Sequence, residues 1–118
     1  MHVLGGEEME IIEKRQNDIS IFKVNGRLDS NTSPRFEEKI LEAIKNGSNK
    51  MIIDFEALDY ISSAGLRVIN KTTKQLKHIE GMLILCSMQD YIKEVFVITG
   101  FDSFLPIVST CDEALMKF

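Results

Sequence analysis

The chain has 118 residues, of which 44% are hydrophobic and 27% are charged, and these values predict a globular protein with one domain and one core. The formal net charge of −4, without a basic stripe, disfavours nucleic acid as a partner. No apolar run approaches the roughly 20 residues of a membrane helix, and the first residues lack the pattern of a secretory signal. We therefore expect a cytoplasmic protein without membrane insertion.

Strands and helices alternate along most of the predicted domain, which spans residues 9–118 after a flexible N-terminal extension at residues 1–8. The first strand mixes apolar and charged positions, the second alternates between apolar and polar positions, and a hairpin turn at residues 16–18 joins them. Ser33, as the cap before Pro34, predicts the start of the first helix. In chain order the predicted elements are strands 9–15 and 18–25, helix 34–45, strand 51–55, helix 63–79, strand 82–86, helix 89–98, strand 104–108 and helix 111–117.

This order, β-β-α-β-α-β-α-β-α, predicts an α/β fold with a mixed, mostly parallel sheet of four to five strands and about four helices. The short apolar runs MIIDF and MLILC are typical of parallel strands covered on both faces, and helices between parallel strands form right-handed crossovers. In such sheets, ligands collect at the carboxyl ends of the strands and at the helix starts that follow. Two segments occupy such junctions, GRLDSNTSP and DYISSAGL.

The chain lacks the residue patterns of the common catalytic sites. It contains no G-x-G-x-x-G, no P-loop and no G-x-S-x-G elbow. Its two histidines, His2 and His78, lie on the N-terminal tail and near a helix end, where neither serves a nucleophilic serine. Cys86 and Cys111 are far apart in the sequence, match no metal-binding spacing and are expected to be reduced thiols. We therefore predict that the chain is not an enzyme and has no metal or cofactor.

The segment DYISSAGL holds more small polar residues than a helix start requires. One serine oxygen suffices to accept from the first helical N–H groups, so Ser62 and Ser63 together leave one hydroxyl exposed. Gly65 costs the helix about 1 kcal/mol relative to alanine, so a reason other than helix stability is expected for it. The absence of a side chain would let another backbone or another protein approach closely. A hydroxyl at a helix N-terminus is suited to carry a phosphate, whose charge of about −1.5 to −2 changes any surface docked there. The alternative interpretation is a simple cap and tight turn.

The segments GRLDSNTSPRFEE and IIDFEALDYISSAGLRVI, with the order of elements around them, resemble the STAS domain of bacterial anti-sigma factor antagonists over residues 9–117. The resemblance implies the STAS fold and a partner-switching mechanism that regulates transcription. In that mechanism the unphosphorylated protein binds an anti-sigma factor that is a GHKL-type serine kinase, and a sigma factor is released. The kinase phosphorylates a serine, the complex dissociates, and a PP2C-type phosphatase restores the hydroxyl. ATP and magnesium belong to the kinase, so the resemblance implies no cofactor for this chain.

The family pattern places the phosphorylated serine two residues before the glycine of a Gly-Leu pair, which is Gly65-Leu66 here. The resemblance therefore assigns phosphorylation to Ser63, with Ser62 as the alternative. It also implies a role in partner docking for Asp29, whose other interpretation is an Asx turn or a helix cap, and the two are weighted equally. The predicted partner-binding residues are Asp29, Asn31, Thr32, Ser62, Ser63, Ala64, Gly65, Leu66 and Arg67.

Other functions are compatible with the same residues. The domain is alternatively the STAS module of a kinase–phosphatase switch with an output other than a sigma factor, or a STAS subunit of a lipid or anion transport system. A small hydrolase with Ser63 as nucleophile ranks last, because no base is visible in the sequence. The apolar stretch FVITGFDSFLPIV allows a weak homodimer, although burial beneath the sheet edge is the preferred explanation.

Overall fold

The computed structural model describes residues 9–118, so the extension predicted for residues 1–8 lies outside the described residues. The described chain forms a six-stranded sheet, four α-helices and a short 3₁₀ turn at Phe101–Ser103. In chain order the elements are β1 (Met9–Gln16), β2 (Ile19–Leu28), α1 (Ser33–Lys45), β3 (Lys50–Asp54), β4 (Leu58–Ile61), α2 (Ser63–His78), β5 (Met82–Cys86), α3 (Asp90–Ile98), β6 (Ile107–Val108) and α4 (Cys111–Leu115). Over these residues, no helix combines the length and the apolar character needed to cross a membrane.

The sheet is mixed and mostly parallel, as predicted. β1 and β2 form an antiparallel hairpin in which Gln16 pairs with Ile19, and Asn17 occupies the turn with a positive φ of 59°. The strands that follow pair in parallel, and the order across the sheet is β1-β2-β3-β5-β6. The predicted fold class and order of elements are therefore confirmed, with one additional strand.

That additional strand is β4, which pairs in parallel with the end of β2 and places Ile61 opposite Leu28. β2 continues past Gly26, where the sequence predicted its end, and its register with β4 shifts between Gly26 and Arg27. Gly26 has a φ of 96°, a conformation that a residue with a side chain resists. As a result, the ends of β2 and β4 lie side by side, directly before the segments that lead into α1 and α2.

Helices cover the two faces of the sheet unequally. On one face, side chains of α1, α2 and α3 join those of the strands in a large buried apolar cluster. On the other face, Ile21, Ile52 and Ile84 occupy neighbouring register positions and share a smaller buried cluster with Ala114 of α4. The larger cluster anchors α1 and α2, and it thereby fixes where both helices begin.

The first helix starts one residue earlier than predicted. Thr32 is its cap, and Ser33, which was expected to be the cap, is the first residue of α1 with Pro34 behind it. The reason is local, because the Thr32 hydroxyl closes the preceding loop by donating to the carbonyl oxygen of Arg27 at 2.9 Å.

The apolar stretch FVITGFDSFLPIV is divided between core and surface. Phe96 and Leu105 are buried, in agreement with the preferred explanation, whereas Val97, Ile98 and Phe104 are 50%, 75% and 43% exposed. The exposed part of the stretch is the surface through which a weak homodimer would form, and the homodimer stays a prediction.

Cys86 and Cys111 are neighbours in the fold, although the sequence separates them widely. Their Sγ atoms and a carboxylate oxygen of Asp54 all lie within 4.8 Å of one another. Both cysteines are free thiols. Sequence spacing gave no sign of this cluster, because the fold brings together the ends of two strands and the start of a helix that are distant along the chain.

Candidate functional site

Ser62 links β4 to α2, and its side chain points into the protein. The residue has an extended backbone, with φ −100° and ψ 176°, and it is the N-cap of α2. Its amide donates to the carbonyl oxygen of Leu28 at 2.9 Å, and its carbonyl oxygen accepts from the amide of Leu66 at 3.0 Å. The Ser62 hydroxyl oxygen is buried, has no hydrogen-bond partner among the described residues and does not cap the helix. The side-chain cap expected at this position is therefore absent.

Ser63 is the first residue of α2 and is exposed. Its hydroxyl makes no hydrogen bond to another described residue, so this side chain is available to a partner. The first N–H groups of any α-helix lack intrahelical acceptors, and the helix dipole adds a partial positive charge at the same end. A new anion on the Ser63 oxygen would therefore meet a favourable local potential.

Gly65 faces the core of its own chain. A Cβ atom at this position would lie 2.9 Å from Ile61 Cγ1 and 2.9 Å from Leu28 Cγ, closer than carbon atoms pack. Leu66 is also turned inward and is 8% exposed. The small residue at position 65 thus lets α2 pack on the ends of β2 and β4, so a close approach by the chain's own residues accounts for the glycine, and partner contact at Gly65 stays a prediction.

Asp29 organises the loop between β2 and α1. Its Oδ1 atom accepts hydrogen bonds from the amides of Asn31 and Thr32 at 2.9 and 3.1 Å, while its own amide donates to Thr32 Oγ1 at 2.9 Å. Burial raises the pKa of the Asp29 carboxyl, but hydrogen bonds from Thr32 and Asn31, with the charge of Arg27, outweigh that effect and hold its pKa below the ordinary value. Asp29 therefore forms the Asx turn that was one of its two interpretations, and a docking role stays a prediction.

Arg27 and Tyr60, which the sequence did not single out, extend this loop surface. The two residues are register partners on β2 and β4, and the Arg27 guanidinium lies 4.3 Å from the centre of the Tyr60 ring. Arg27 Nε also approaches Asp29 Oδ2 at 3.6 Å. Because the pairing depends on β4, an unpredicted strand, no pattern in the sequence indicated that these side chains meet.

A groove of about 290 Å³ runs between the start of α1 and the first two turns of α2. Lys71 Nζ and Glu37 Oε2, at a distance of 2.6 Å, form an ion pair between the two helices at this groove. Arg67 is exposed one turn after Ser63 and forms no ion pair with a described residue. The groove is lined by Ser30, Ser33, Pro34, Glu37, Ala64, Arg67, Val68 and Lys71.

The structure therefore sorts the predicted site residues into two groups. Asn31, Ser63 and Arg67 are exposed and Ala64 is partly exposed, on a surface formed by the loop before α1 and the start of α2. The side chains that hold this surface in place are largely covered, namely those of Asp29, Thr32, Ser62, Gly65 and Leu66.

The arrangement does not favour nucleophilic catalysis by Ser63. Within residues 9–118 the one histidine is His78, at the opposite end of α2. At about 1.5 Å of rise per residue, the helix separates the two residues by about 22 Å. His78 is thus out of reach as a base for Ser63, and what the site offers is an accessible hydroxyl on a preformed surface.

Comparisons with known proteins agree with this fold. The model of the STAS domain family matches residues 10–114. A Bordetella bronchiseptica protein named as an anti-sigma factor antagonist, BtrV, is 32% identical over 110 residues, which cover 93% of this chain and 95% of the relative.

Solved structures of similar proteins share the fold. A Thermotoga maritima protein described as an anti-sigma factor antagonist aligns with a TM-score of 0.87 at 23% identity, over 91% of this chain and 92% of that one. The Bacillus anti-sigma factor antagonist SpoIIAA has been solved in unphosphorylated and phosphorylated forms. Both forms align with a TM-score of 0.73 at 22% identity, over 92% of this chain and over 96% and 98% of the SpoIIAA chains.

Proposed function

Because the chain belongs to the STAS domain family of anti-sigma factor antagonists, we propose that it binds, in its unphosphorylated form, an anti-sigma factor of the GHKL serine kinase type. Binding occupies the kinase and frees its sigma factor, which changes transcription. Phosphorylation of Ser63 ends the complex, and a PP2C-type phosphatase restores the hydroxyl. The chain acts in the cytoplasm as ligand and substrate, while catalysis belongs to the kinase and the phosphatase.

The single observation that carries this proposal is the contrast between the two adjacent serines. The Ser63 hydroxyl is exposed and unpaired, whereas the Ser62 oxygen is buried. A kinase has to bring the γ-phosphate of ATP in line with the attacking oxygen, and that approach requires the geometry found at Ser63. SpoIIAA, which shares the fold, exists in a phosphorylated form, in keeping with a switch of this type.

The kinase meets a surface that is formed before it binds. The hydrogen bonds around Asp29 hold the loop before α1 in place, with Asn31 exposed beside it. Ala64 adds little bulk next to Ser63, so a partner approaches the hydroxyl closely. A preformed surface of this kind costs less conformational entropy on binding than a mobile loop.

Phosphorylation changes the charge of this surface without requiring a change of fold. The phosphate adds a charge of about −1.5 to −2 at the N-terminus of α2, where the helix N–H groups stabilise it. Arg67 lies four residues further along α2, on the side of the helix that carries Ser63, and adds a nearby cation. A kinase surface that fits the neutral hydroxyl then faces a bulky dianion, and the complex is lost to repulsion and desolvation.

Intact mass spectrometry after incubation with the kinase of the same organism and Mg-ATP tests the proposal. We expect one phosphate on the wild-type chain, one on Ser62→Ala, and none on Ser63→Ala. Ser62→Ala is the matched control, because it removes the neighbouring hydroxyl by the same substitution. Phosphate that persists on Ser63→Ala and disappears from Ser62→Ala would show that Ser62, and not Ser63, is the phosphorylated residue.

The alternatives give different results in the same assay. A transport subunit or a hydrolase predicts no added phosphate on any variant. A kinase–phosphatase switch with another output predicts phosphorylation of Ser63, but the unphosphorylated chain would not displace a sigma factor from the kinase. Displacement of sigma in a gel-filtration assay therefore separates that alternative from the proposed function.

A further inference from the structure

A second cluster of reactive side chains lies on the sheet face that α4 covers. Asp54 and Cys86 are register partners at the ends of β3 and β5, and Cys111 is the first residue of α4. One Asp54 carboxylate oxygen and the two Sγ atoms all lie within 4.8 Å of one another. Three separate elements thus direct two sulfur ligands and one oxygen ligand toward one point.

The spacing of these atoms suits a tetrahedral cation. Zinc binds thiolate at about 2.3 Å, which places two sulfur ligands about 3.8 Å apart, so small side-chain movements are enough to close the cluster. Asp54 Oδ1 accepts from the amide of Glu56 at 2.9 Å, which orients the carboxylate and leaves its second oxygen available. The ammonium of Lys23, beside Asp54 in the register, pairs instead with Glu56 Oε1 at 3.3 Å.

The environment of the two thiols favours their protonated form while no cation is bound. Burial, as the largest cause, and the nearby Asp54 charge raise the pKa of the Cys86 thiol to about 12, although a hydrogen bond from Ser87 acts against them. Burial and the Asp54 charge likewise raise the pKa of Cys111, which a hydrogen bond with Cys86 and the charge of Lys14 lower in part. Zinc binds the thiolate form, and a bound cation would offset the charge of the Asp54 carboxylate and of both thiolates.

We propose that Asp54, Cys86 and Cys111 form a zinc site that ties the start of α4 to the ends of β3 and β5. Each thiol releases its proton to solvent as its sulfur binds the ion, and water completes the tetrahedron, since Asp54 and Cys111 are partly exposed. Two thiolates and one carboxylate form a donor set that selects zinc over magnesium and calcium, because the latter two ions take oxygen ligands. The site is separate from Ser63 and does not depend on the proposed function.

A zinc titration of the full chain tests this site. The chain is kept reduced with a phosphine, and a chromophoric chelator that competes for zinc reports the affinity. We expect one equivalent of zinc and, with cobalt in its place, the sulfur-to-cobalt charge-transfer band. Cys111→Ser should remove most of that band and weaken zinc binding at least tenfold. Zinc should also raise the melting temperature of the wild-type chain and not that of Cys111→Ser, because a ligand stabilises the state that binds it.

Asp54→Asn and Asp59→Asn provide the matched pair of charge variants. Each removes one carboxylate charge, but Asp59 is exposed on β4 and is outside the cluster. We expect weaker zinc binding for Asp54→Asn and wild-type binding for Asp59→Asn. A wild-type chain that takes up no zinc, or a Cys111→Ser chain that is folded by circular dichroism and binds zinc as tightly as wild type, overturns the proposal.

Discussion

Ser62 and Ser63 show how strongly one step along the backbone changes the environment of a residue. Ser62 still has the extended conformation of β4 and buries its hydroxyl, whereas Ser63 is helical and exposes its own. The sequence pattern indicated a spare hydroxyl but left the choice between the two serines to a family resemblance. That choice depends on where the helix begins, which sequence patterns locate less well than the helix itself.

Asp29 is the second residue whose environment bears on the site. Its lowered pKa makes it an acid whose charge stabilises the fold. A carboxyl with a lowered folded pKa contributes stability above its ordinary value of 3.8, and the contribution is lost as the pH falls through the folded pKa. The loop before α1 is therefore expected to weaken in acid through this residue.

Asp29→Asn tests that expectation, because asparagine keeps an oxygen acceptor for the Asn31 and Thr32 amides but carries no charge. We expect the free energy of unfolding of the wild-type chain to fall more steeply than that of Asp29→Asn between about pH 5 and about pH 2. Urea unfolding at several pH values measures both slopes. Identical slopes would show that the Asp29 charge adds no pH-dependent stability.

At the scale of elements, the packing of α2 on the ends of β2 and β4 places the site. Gly65 sits at that contact and has no room for a Cβ atom beside Leu28 and Ile61. The sequence correctly marked this glycine as costly for the helix, but it could not show that the close neighbour is the chain's own core. The contact of Gly65 with Leu28 and Ile61 becomes visible only in the folded structure, because these residues are distant along the chain or on another element.

Gly65→Ala should therefore destabilise the protein despite the better helix propensity of alanine. Overpacking costs about 1–3 kcal/mol and the propensity gain is about 1 kcal/mol, so we expect a net loss of about 1 kcal/mol. Urea unfolding measures this change, with Ser63→Ala as a control that adds no atom to the core. A Gly65→Ala chain more stable than wild type would show that α2 has free space at its first turn.

Most elements were predictable because each has a clear local signal. The amphipathic period of α1 and α2 and the apolar runs of β3 and β5 are such signals. β4 has only four residues, of which Leu58 and Ile61 are buried, and four residues are too few to establish a period. The Arg27–Tyr60 contact and the cluster at Cys86 follow from pairing between distant segments, and local patterns carry no information about either.

At the scale of the whole molecule, the two faces of the sheet carry hydrophobic cores of different size. The face under α1, α2 and α3 holds the larger core and fixes the surface around Ser63. The opposite face has a smaller core under α4, with the thiols at its edge. Because a packed core favours one conformation over gradual deformation, the proposed switch at Ser63 is expected to act through the charge of the surface and not through a change of fold.

The affinity of the anti-sigma factor kinase for the unphosphorylated chain and for the chain phosphorylated at Ser63 tests the central claim most directly. Isothermal titration calorimetry should show binding at least about 100-fold weaker after phosphorylation, equivalent to about 2.8 kcal/mol. Ser63→Asp should reproduce part of that loss. Ser63→Asn, whose side chain has the shape of aspartate without its charge, should bind the kinase more tightly than Ser63→Asp. Equal affinities for the phosphorylated and unphosphorylated chains would contradict the account.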